Sequence, residues 1–366
     1  MIEARPELEK LSHYVPGKSI DEIRTRFGLK KVIKLASNEN PLGASPKATE
    51  AYIKIATALH MYPRGDAPQL IEALAHHNDI AKDQIIIGNG SDEIIDMIGK
   101  AFIRPGDKIL SLDPTFSVYR FVTDSFGGEY VSVPALDEKE PLRELVKQID
   151  AKTRVIFICN PNNPTGSYFT ESQMIELMEQ VPPSVLVFVD EAYAEFATAK
   201  DYPCLACKIQ KYPNLFLSRT FSKIYGLAGI RVGYAISSAK VIANLWKVKP
   251  PFDVNLAAQE AAVAALEDFG HIEKTLKVNA EGLEYLTNAL SIMGYRVLPT
   301  QANFICMYVG PTAKKMVAFL EEKGMIIRGL SSFGMPEWVR VTIGKPEENQ
   351  FFLECITLWR QNDRTK

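Results

Sequence analysis

Seven short apolar stretches recur within residues 84–236, and most are separated by segments with helical periodicity. They lie at residues 84–87, 108–112, 129–133, 154–159, 185–190, 214–218 and 231–236, and the helical segments between them include 92–102, 142–149 and 171–178. Strands that are apolar on both faces are typical of a parallel sheet covered by helices on each side. The pattern therefore predicts an α/β fold built on a mostly parallel, seven-stranded sheet.

The regular alternation of strands and helices ends at Asn255. An alanine-rich helical region at 256–266 and 272–290 leads to strand candidates at 295–298, 303–307, 325–328 and 338–343, with helices between and after them. A chain of 366 residues also exceeds what a single core usually organises. We predict a large domain at 31–254 and a smaller α+β domain formed by 255–366 together with an N-terminal arm, 1–30.

Composition and charge exclude several classes of protein. The formal net charge is −2, so the basic excess of a nucleic-acid-binding protein is absent. The five cysteines are scattered, which suggests a reducing compartment, and a zinc ribbon would need a second pair beside Cys204 and Cys207. No signal core or membrane-length apolar run is present. We therefore expect a cytoplasmic protein with no metal site and no nucleic-acid or membrane partner.

One lysine has the surroundings of a reactive amine. Lys223 lies between Thr220, Ser222 and Gly226, just after the apolar stretch 215–217. Ligands of α/β proteins bind at the carboxyl ends of such strands. A lysine there can form a Schiff base with a carbonyl, and pyridoxal phosphate is the cofactor that presents one. Taken alone, the motif also fits a surface lysine.

A glycine-containing turn at residues 87–93 offers a place for an anion. It runs from a strand into a helix, so the free amides of the first helical turn, near Gly90, Ser91 and Asp92, can bind a phosphate. The third glycine of a dinucleotide fingerprint and the Gly-Lys-Ser of a phosphate loop are absent, which favours a single phosphate monoester. A tight turn capped by Ser91 is the alternative.

Three further strand ends carry polar or aromatic side chains. Asp190 directly follows five apolar residues, where a carboxylate is costly unless it meets a cation such as a protonated pyridine nitrogen. Tyr193 and Asn163 would then reach the ring oxygen of the cofactor, and Phe116 could stack on the ring. The alternatives are an ordinary capping aspartate, a plain turn around Asn163 and a core phenylalanine.

Together these motifs resemble the histidinol-phosphate aminotransferases, which are class-II pyridoxal-phosphate-dependent aminotransferases of fold type I. The resemblance runs in unbroken order from about residue 14 to residue 343. It rests on NENP at 38–41, YP at 62–63, GNGSDE at 88–93, NPNNPTG at 160–166, DEAY at 190–193, TFSK at 220–223 and RVGY at 231–234.

The resemblance implies a role for each matching residue. Lys223 would hold pyridoxal 5'-phosphate covalently and move the proton, with Asp190 and Tyr193 as the other catalytic groups. Cofactor binding would involve Gly90, Ser91, Asp92, Phe116, Asn163, Asp190, Tyr193, Thr220, Ser222, Lys223, Arg231 and, from the neighbouring subunit of a homodimer, Tyr62. Substrate binding would involve Arg340, Arg328, Tyr14, Asn303 and Asn38. For either arginine a surface position is the alternative.

The implied reaction is amino transfer between L-histidinol phosphate and 2-oxoglutarate. It would give imidazole acetol phosphate and glutamate by a ping-pong route, as in histidine biosynthesis. Two enzymatic alternatives stay open: an aromatic amino acid aminotransferase and a threonine-phosphate decarboxylase of the same fold. A regulator built on an aminotransferase body would need a DNA-binding domain, and only about 30 residues precede the first motif.

Overall fold

The computed structural model describes residues 2–11 and 17–363. Its helices are α1 Ile20–Phe27, α2 Pro46–Ile55, α3 Pro68–Asn78, α4 Ser91–Phe102, α5 Val118–Ser125, α6 Pro141–Val146, α7 Glu171–Gln180, α8 Ala239–Trp246, α9 Leu256–Leu266, α10 Phe269–Ile292, α11 Ala313–Glu322 and α12 Pro346–Asp363. None of the helices in this described part is long and apolar enough to cross a membrane.

The strands form three sheets. They are β1 Ile33–Lys34, β2 Ile85–Gly88, β3 Lys108–Asp113, β4 Glu129–Pro134, β5 Thr153–Cys159, β6 Leu186–Asp190, β7 Leu215–Thr220, β8 Gly233–Ser237, β9 Arg296–Val297, β10 Phe304–Tyr308, β11 Met325–Ile326, β12 Arg328–Gly329 and β13 Trp338–Thr342. The largest sheet has seven strands in the order β2-β8-β7-β6-β5-β3-β4. All its strands are parallel except β8, which runs antiparallel to both neighbours.

Both faces of the large sheet are buried, as the apolar strands predict. Val187 and Val189 of β6 join one hydrophobic core, which contains residues of α2, α3, α7 and α9. Leu186 and Phe188 join a second core on the opposite face, with residues of α4, α5 and α8. This alternation continues to Asp190, whose carboxyl group therefore points to the face that carries α4 and α5.

The predicted α/β fold with a mostly parallel seven-stranded sheet is confirmed. The prediction of one strand at 325–328 was wrong, because this stretch takes part in two short strands with different partners. β11 pairs with β1, while β12 pairs with β13. The last strand of the large sheet begins at Gly233 and not at Arg231, because Arg231 has a left-handed conformation with a φ of 60°.

A smaller four-stranded sheet, β12-β13-β10-β9, carries its own hydrophobic core against α10, α11 and α12. The N-terminal strand β1 joins this part of the molecule through its parallel pairing with β11. The domain boundary at residue 254 stays a prediction. Helix α9 lies beyond that boundary, yet Ala258 and Ala262 belong to the core of the large sheet.

Candidate active site

The carboxyl ends of the parallel strands open into a cavity of about 450 Å³, which the small sheet closes from the other side. Its wall includes most of the residues that the sequence predicts for the site: Asn38, Ser91, Asp92, Phe116, Asn163, Asp190, Tyr193, Thr220, Ser222, Lys223, Arg231, Arg328 and Arg340. Residues separated by up to about 300 positions in the chain thus meet in one place.

Lys223 follows β7 and points its amine into this cavity. The Nζ atom donates to the carbonyl oxygen of Ser37 at 3.2 Å and lies 5.6 Å from the ring centroid of Tyr193. Burial, assisted by the positive charge of Arg340, lowers the pKa of Lys223 to about 8. A larger fraction of the amine is therefore uncharged near neutral pH than in an exposed lysine, as a nucleophile requires.

Asp190 is a buried carboxylate with two hydrogen-bond donors. Tyr119 donates to Oδ2 at 2.8 Å and the backbone amide of Ala192 donates to Oδ1 at 3.1 Å. Burial raises the pKa of Asp190 to about 6, although both hydrogen bonds act in the opposite direction. The anion is thus costly to keep in this place, and a cation bound beside it would offset that cost.

Tyr193 and Asn163 present hydrogen-bonding groups next to the lysine. Burial raises the pKa of Tyr193 to about 12, so its phenol stays neutral at physiological pH. Its oxygen accepts a hydrogen bond from Nδ2 of Asn38 at 2.8 Å. Oδ1 of Asn163 accepts from Nη1 of Arg340, which leaves the amide nitrogen of Asn163 as the donor it can offer.

An anion-binding corner lies where β2 runs into α4. Gly90, with a φ of 79°, precedes the free amides of Ser91 and Asp92. Nη2 of Arg231 lies 3.2 Å from the Asp92 carboxylate, and its Nη1 lies 3.5 Å from the Ser222 hydroxyl. Helix amides, hydroxyls and a guanidinium converging on one corner fit a single phosphate group.

The corner depends on close backbone contact as well. A Cβ atom on Gly233 would lie 2.9 Å from the backbone of Gly90 and from the amide nitrogen of Ser91. Only glycine therefore allows β8 to approach the turn this closely. A phosphate here and a protonated ring nitrogen at Asp190 fit the two ends of pyridoxal phosphate.

Two arginines face the cavity from the small sheet. Arg328 on β12 and Arg340 on β13 are direct cross-strand partners. Arg340 is 6% exposed, and its Nη2 donates to the carbonyl oxygen of Ala36 at 2.8 Å. Arg328 is half-buried, and its Nη2 lies 3.4 Å from the hydroxyl of Ser332. Because like charges directly across a sheet destabilise each other, this pair favours binding of an anion.

Some predicted site residues lie elsewhere. Asn303 does not line the cavity, because its amide donates to the backbone oxygen of Asn38 at 3.0 Å and so supports the wall from behind. Tyr62 is 80% exposed and stacks on Phe252 at 4.4 Å between ring centroids, outside the cavity of its own chain. Tyr14 lies outside the described residues. Phe116 lines the cavity, and its ring meets that of Tyr119 edge to face.

Sequence reasoning missed several side chains at this site, among them Tyr119 and Thr342. Tyr119, the donor to Asp190, lies three residues after Phe116, and its sequence context is that of an ordinary helix residue. Thr342 follows Arg340 at the alternate position that shares its face of β13, and it bonds to Asn38. The period-two pattern of the strand is the one signal that could have drawn attention to Thr342.

Comparison with known proteins agrees with this geometry. The family "Aminotransferase class I and II" matches residues 30–356. The histidinol-phosphate aminotransferase of Moorella thermoacetica is 43% identical over 96% of this chain and 92% of its own length. That of a Geobacillus species is 41% identical over 97% of this chain and 98% of its own length.

Among solved structures, a histidinol-phosphate aminotransferase from Sinorhizobium meliloti in complex with pyridoxal-5'-phosphate superposes with a TM-score of 0.88. It is 25% identical, and the match covers 97% of this chain and 96% of that one. The sheet and the lysine at its strand end thus define a transferase of fold type I, the fold of pyridoxal-phosphate-dependent enzymes. The chain belongs to the class I and II aminotransferases.

Proposed function

We propose that this enzyme is a histidinol-phosphate aminotransferase that acts in histidine biosynthesis. It transfers the amino group of L-histidinol phosphate to 2-oxoglutarate and yields imidazole acetol phosphate and glutamate. The observation that carries the proposal is the cross-strand pair Arg328 and Arg340, which faces the same cavity as Lys223 and Asp190. The relatives in Moorella and Geobacillus, which carry this name over nearly the full chain, support it.

The cofactor is pyridoxal 5'-phosphate, which supplies an aldehyde and an electron-accepting ring when bound. The amides after Gly90, the hydroxyls of Thr220 and Ser222, and Arg231 hold its phosphate. Asp190 would keep the ring nitrogen protonated, which would explain why a carboxylate that burial disfavours is retained there. Tyr193 and Asn163 bind the ring oxygen, and Phe116 packs on the ring.

Lys223 has two tasks in this proposal. It binds the cofactor aldehyde through Nζ, for which its lowered pKa makes the amine available. In the loaded enzyme the same Nζ would also move the proton at the substrate carbon that bears the amino group. Arg340 keeps a positive charge near Nζ and thereby favours the uncharged amine, which is the form that acts as a base.

The two substrates use the site in turn, because their anionic groups differ but fit the same guanidiniums. Histidinol phosphate presents a phosphate, and glutamate presents carboxylates. Both groups accept paired hydrogen bonds from arginine. Arg328 and Arg340 lie at directly opposed positions of adjacent strands, so one anion can neutralise both. This shared use of one anion site agrees with ping-pong kinetics.

The test is a spectrum followed by a turnover assay. Purified protein loaded with pyridoxal phosphate should absorb in the visible range, and L-histidinol phosphate without 2-oxoglutarate should bleach that band. Turnover of histidinol phosphate should then exceed that of phenylalanine at equal concentration. A preference for phenylalanine would indicate an aromatic aminotransferase. Carbon dioxide release from threonine phosphate without any oxo acid would indicate a decarboxylase.

We also propose a homodimer in which Tyr62 completes the phosphate site of the partner. The exposed ring of Tyr62, together with exposed Phe252 and Met61, supports an interface at this surface. Tyr62→Ala and Lys223→Ala proteins should each be severely impaired. A mixture dissociated and reassociated should recover up to about a quarter of wild-type activity, since half of the dimers then hold one intact site. No recovery would contradict the shared site.

We further propose that the enzyme works in the cytoplasm. All five cysteines are free thiols, and Cys204 and Cys207 are exposed. Exposed thiols of this kind persist in a reducing compartment.

A further inference from the structure

A buried chain of hydrogen bonds links the small sheet to the phenol of Tyr193. Thr342, the last residue of β13, contacts Asn38 twice: the Asn38 amide N–H donates to Oγ1 at 2.9 Å, and Oγ1 donates to Oδ1 of Asn38 at 3.1 Å. Nδ2 of Asn38 then donates to Tyr193 Oη at 2.8 Å. Thr342, Asn38 and Tyr193 are each less than 5% exposed, so bulk water does not compete with these bonds.

These contacts favour one direction for each hydrogen bond in the chain. Oγ1 of Thr342 already accepts from a backbone N–H, which can only donate, so its own hydrogen is free for Oδ1 of Asn38. The amide of Asn38 therefore presents its NH₂ group to Tyr193. Because the phenol oxygen accepts that bond, its single hydrogen is left to point into the cavity.

We propose that Thr342 is a positioning residue that makes Tyr193 a hydrogen-bond donor towards the cofactor ring. It does so by holding the Asn38 amide in one of its two orientations. In the flipped orientation Oδ1 would face Tyr193, and the phenol would donate to Asn38 and no longer to the cavity. The inference rests on the proposed function, in that a ring oxygen must lie beside Tyr193.

The backbone of Asn38 makes the arrangement specific. Its φ of 55° lies in the left-handed region, which asparagine tolerates better than most residues. Asn303 holds the carbonyl oxygen of the same residue at 3.0 Å. The small sheet therefore holds Asn38 through Thr342 of β13 and through Asn303, the residue just before β10. The orientation of the Asn38 amide thus depends on the position of the small sheet.

Other charged or titratable groups also face Tyr193. They are Lys223 after β7, Asp190 at the end of β6, Cys159 at the end of β5 and Arg340 on β13. A substitution at Thr342 removes none of them. Thr342→Val keeps the size of the side chain and removes only the hydroxyl, whereas Thr342→Ser keeps the hydroxyl.

The experiment follows the visible absorbance of the pyridoxal-phosphate-loaded protein as a function of pH. A hydrogen bond that Tyr193 donates to the ring oxygen would draw negative charge from that oxygen. Because negative charge there favours a proton on Nζ of Lys223 when the cofactor is bound, the donor would make that proton easier to lose. Loss of the donor should therefore raise the pH midpoint of the spectral change. We expect Thr342→Val to raise it by roughly half to one pH unit.

The control variants decide the outcome. Tyr193→Phe gives the shift for complete loss of the donor, and Thr342→Ser should keep the wild-type midpoint. Asn38→Asp, whose carboxylate can only accept, should raise the midpoint at least as far as Tyr193→Phe does, because its negative charge adds to the loss of the donor. An unchanged midpoint in Thr342→Val or in Asn38→Asp overturns the inference, as does an equal shift in Thr342→Ser.

Folding and cofactor binding of each variant are measured separately from the pH midpoint. Far-UV circular dichroism shows whether each variant is folded. If Thr342→Val does not hold the cofactor, the midpoint is measured on Thr342→Ala, which also lacks the hydroxyl, and an unchanged value there overturns the inference. A wild-type protein that never acquires a visible band would instead refute the proposed function. The two failures are thus distinguishable.

Discussion

The burial of Asp190 makes a quantitative prediction about stability. In the cofactor-free protein, Asp190→Asn should make the fold more stable at alkaline pH relative to wild type, while it weakens cofactor binding and activity. The reason is that the neutral amide avoids the cost of burying an anion, but it cannot stabilise a protonated ring nitrogen by charge. A residue kept for catalysis at the expense of stability should show both effects.

The magnitude follows from the pKa of this carboxyl group. Burial raises it from 3.8 to about 6, and a difference of about 2 units corresponds to about 3 kcal/mol. Because the folded pKa is raised, wild-type stability is highest below the unfolded value and is lost as the pH rises through about 6. Linkage gives a loss of about 1.4 kcal/mol between pH 5 and pH 8.

The asparagine variant also has a cost that does not depend on pH. Asp190 accepts hydrogen bonds from Tyr119 and Ala192, one on each oxygen. An amide has only one acceptor atom, so the variant keeps both contacts only if its NH₂ group donates to Tyr119, and this rearrangement costs about 1 kcal/mol. The pH-dependent difference between the two proteins is therefore the cleaner quantity.

Denaturant unfolding of both cofactor-free proteins at one protein concentration, at pH 5, 6, 7 and 8, measures this difference. The free energy of unfolding of Asp190→Asn minus that of wild type should increase by about 1.4 kcal/mol across the series. Addition of pyridoxal phosphate should stabilise wild type more than the variant. A difference that stays constant with pH, or equal stabilisation by the cofactor, would refute the reasoning.

Three further predictions test other parts of the site. Lys223→Ala should keep the cofactor bound non-covalently but abolish turnover, as measured by absorbance after dialysis and by steady-state assay; retained turnover would exclude Lys223 as the catalytic amine. Arg340→Lys should reduce kcat/KM for both substrates roughly 10- to 100-fold through loss of paired hydrogen bonds. The control Arg296→Lys, on exposed β9, should leave kcat/KM unchanged. An effect of Arg340→Lys on one substrate alone would argue against a shared anion site. Gly233→Ala should weaken cofactor affinity in equilibrium titration, because its Cβ would lie 2.9 Å from backbone atoms. Gly229→Ala, with open space around the Cβ, should bind the cofactor as wild type does. Equal affinities of the two variants would contradict the close-contact argument.

Sequence reasoning worked best where a local signal exists. The buried strands of the large sheet are apolar on both faces, so their positions were predicted to within about two residues, as at Lys108–Asp113 for the prediction 108–112. The turns after these strands were recognised by their glycine, proline and asparagine residues, which are typical of turns. Asp190 ends β6 and Lys223 comes three residues after the end of β7, and both were predicted to lie at one edge of the sheet.

The parts that sequence reasoning missed depend on contacts between distant segments. Nothing near β8 shows that it inserts antiparallel between β2 and β7. The stretch 325–328 was predicted as one strand, because its residues alone do not show that β11 and β12 pair with different strands. Thr342 bonds to Asn38, 304 positions away, and only the folded chain brings them together.

The pairing of β1 with β11 has a consequence for biosynthesis. Ile33 lies opposite Met325, and Ile23, Ala36 and Ile326 share a small buried cluster. A ribosome releases the first of these segments long before it makes the last. During translation the early segment must therefore wait, with its apolar residues uncovered, until nearly nine tenths of the polypeptide has been made. Chaperone dependence of newly made protein should accordingly trace to the buried apolar residues Ile23, Ile33 and Ala36, which the folded enzyme covers with the segment around β11.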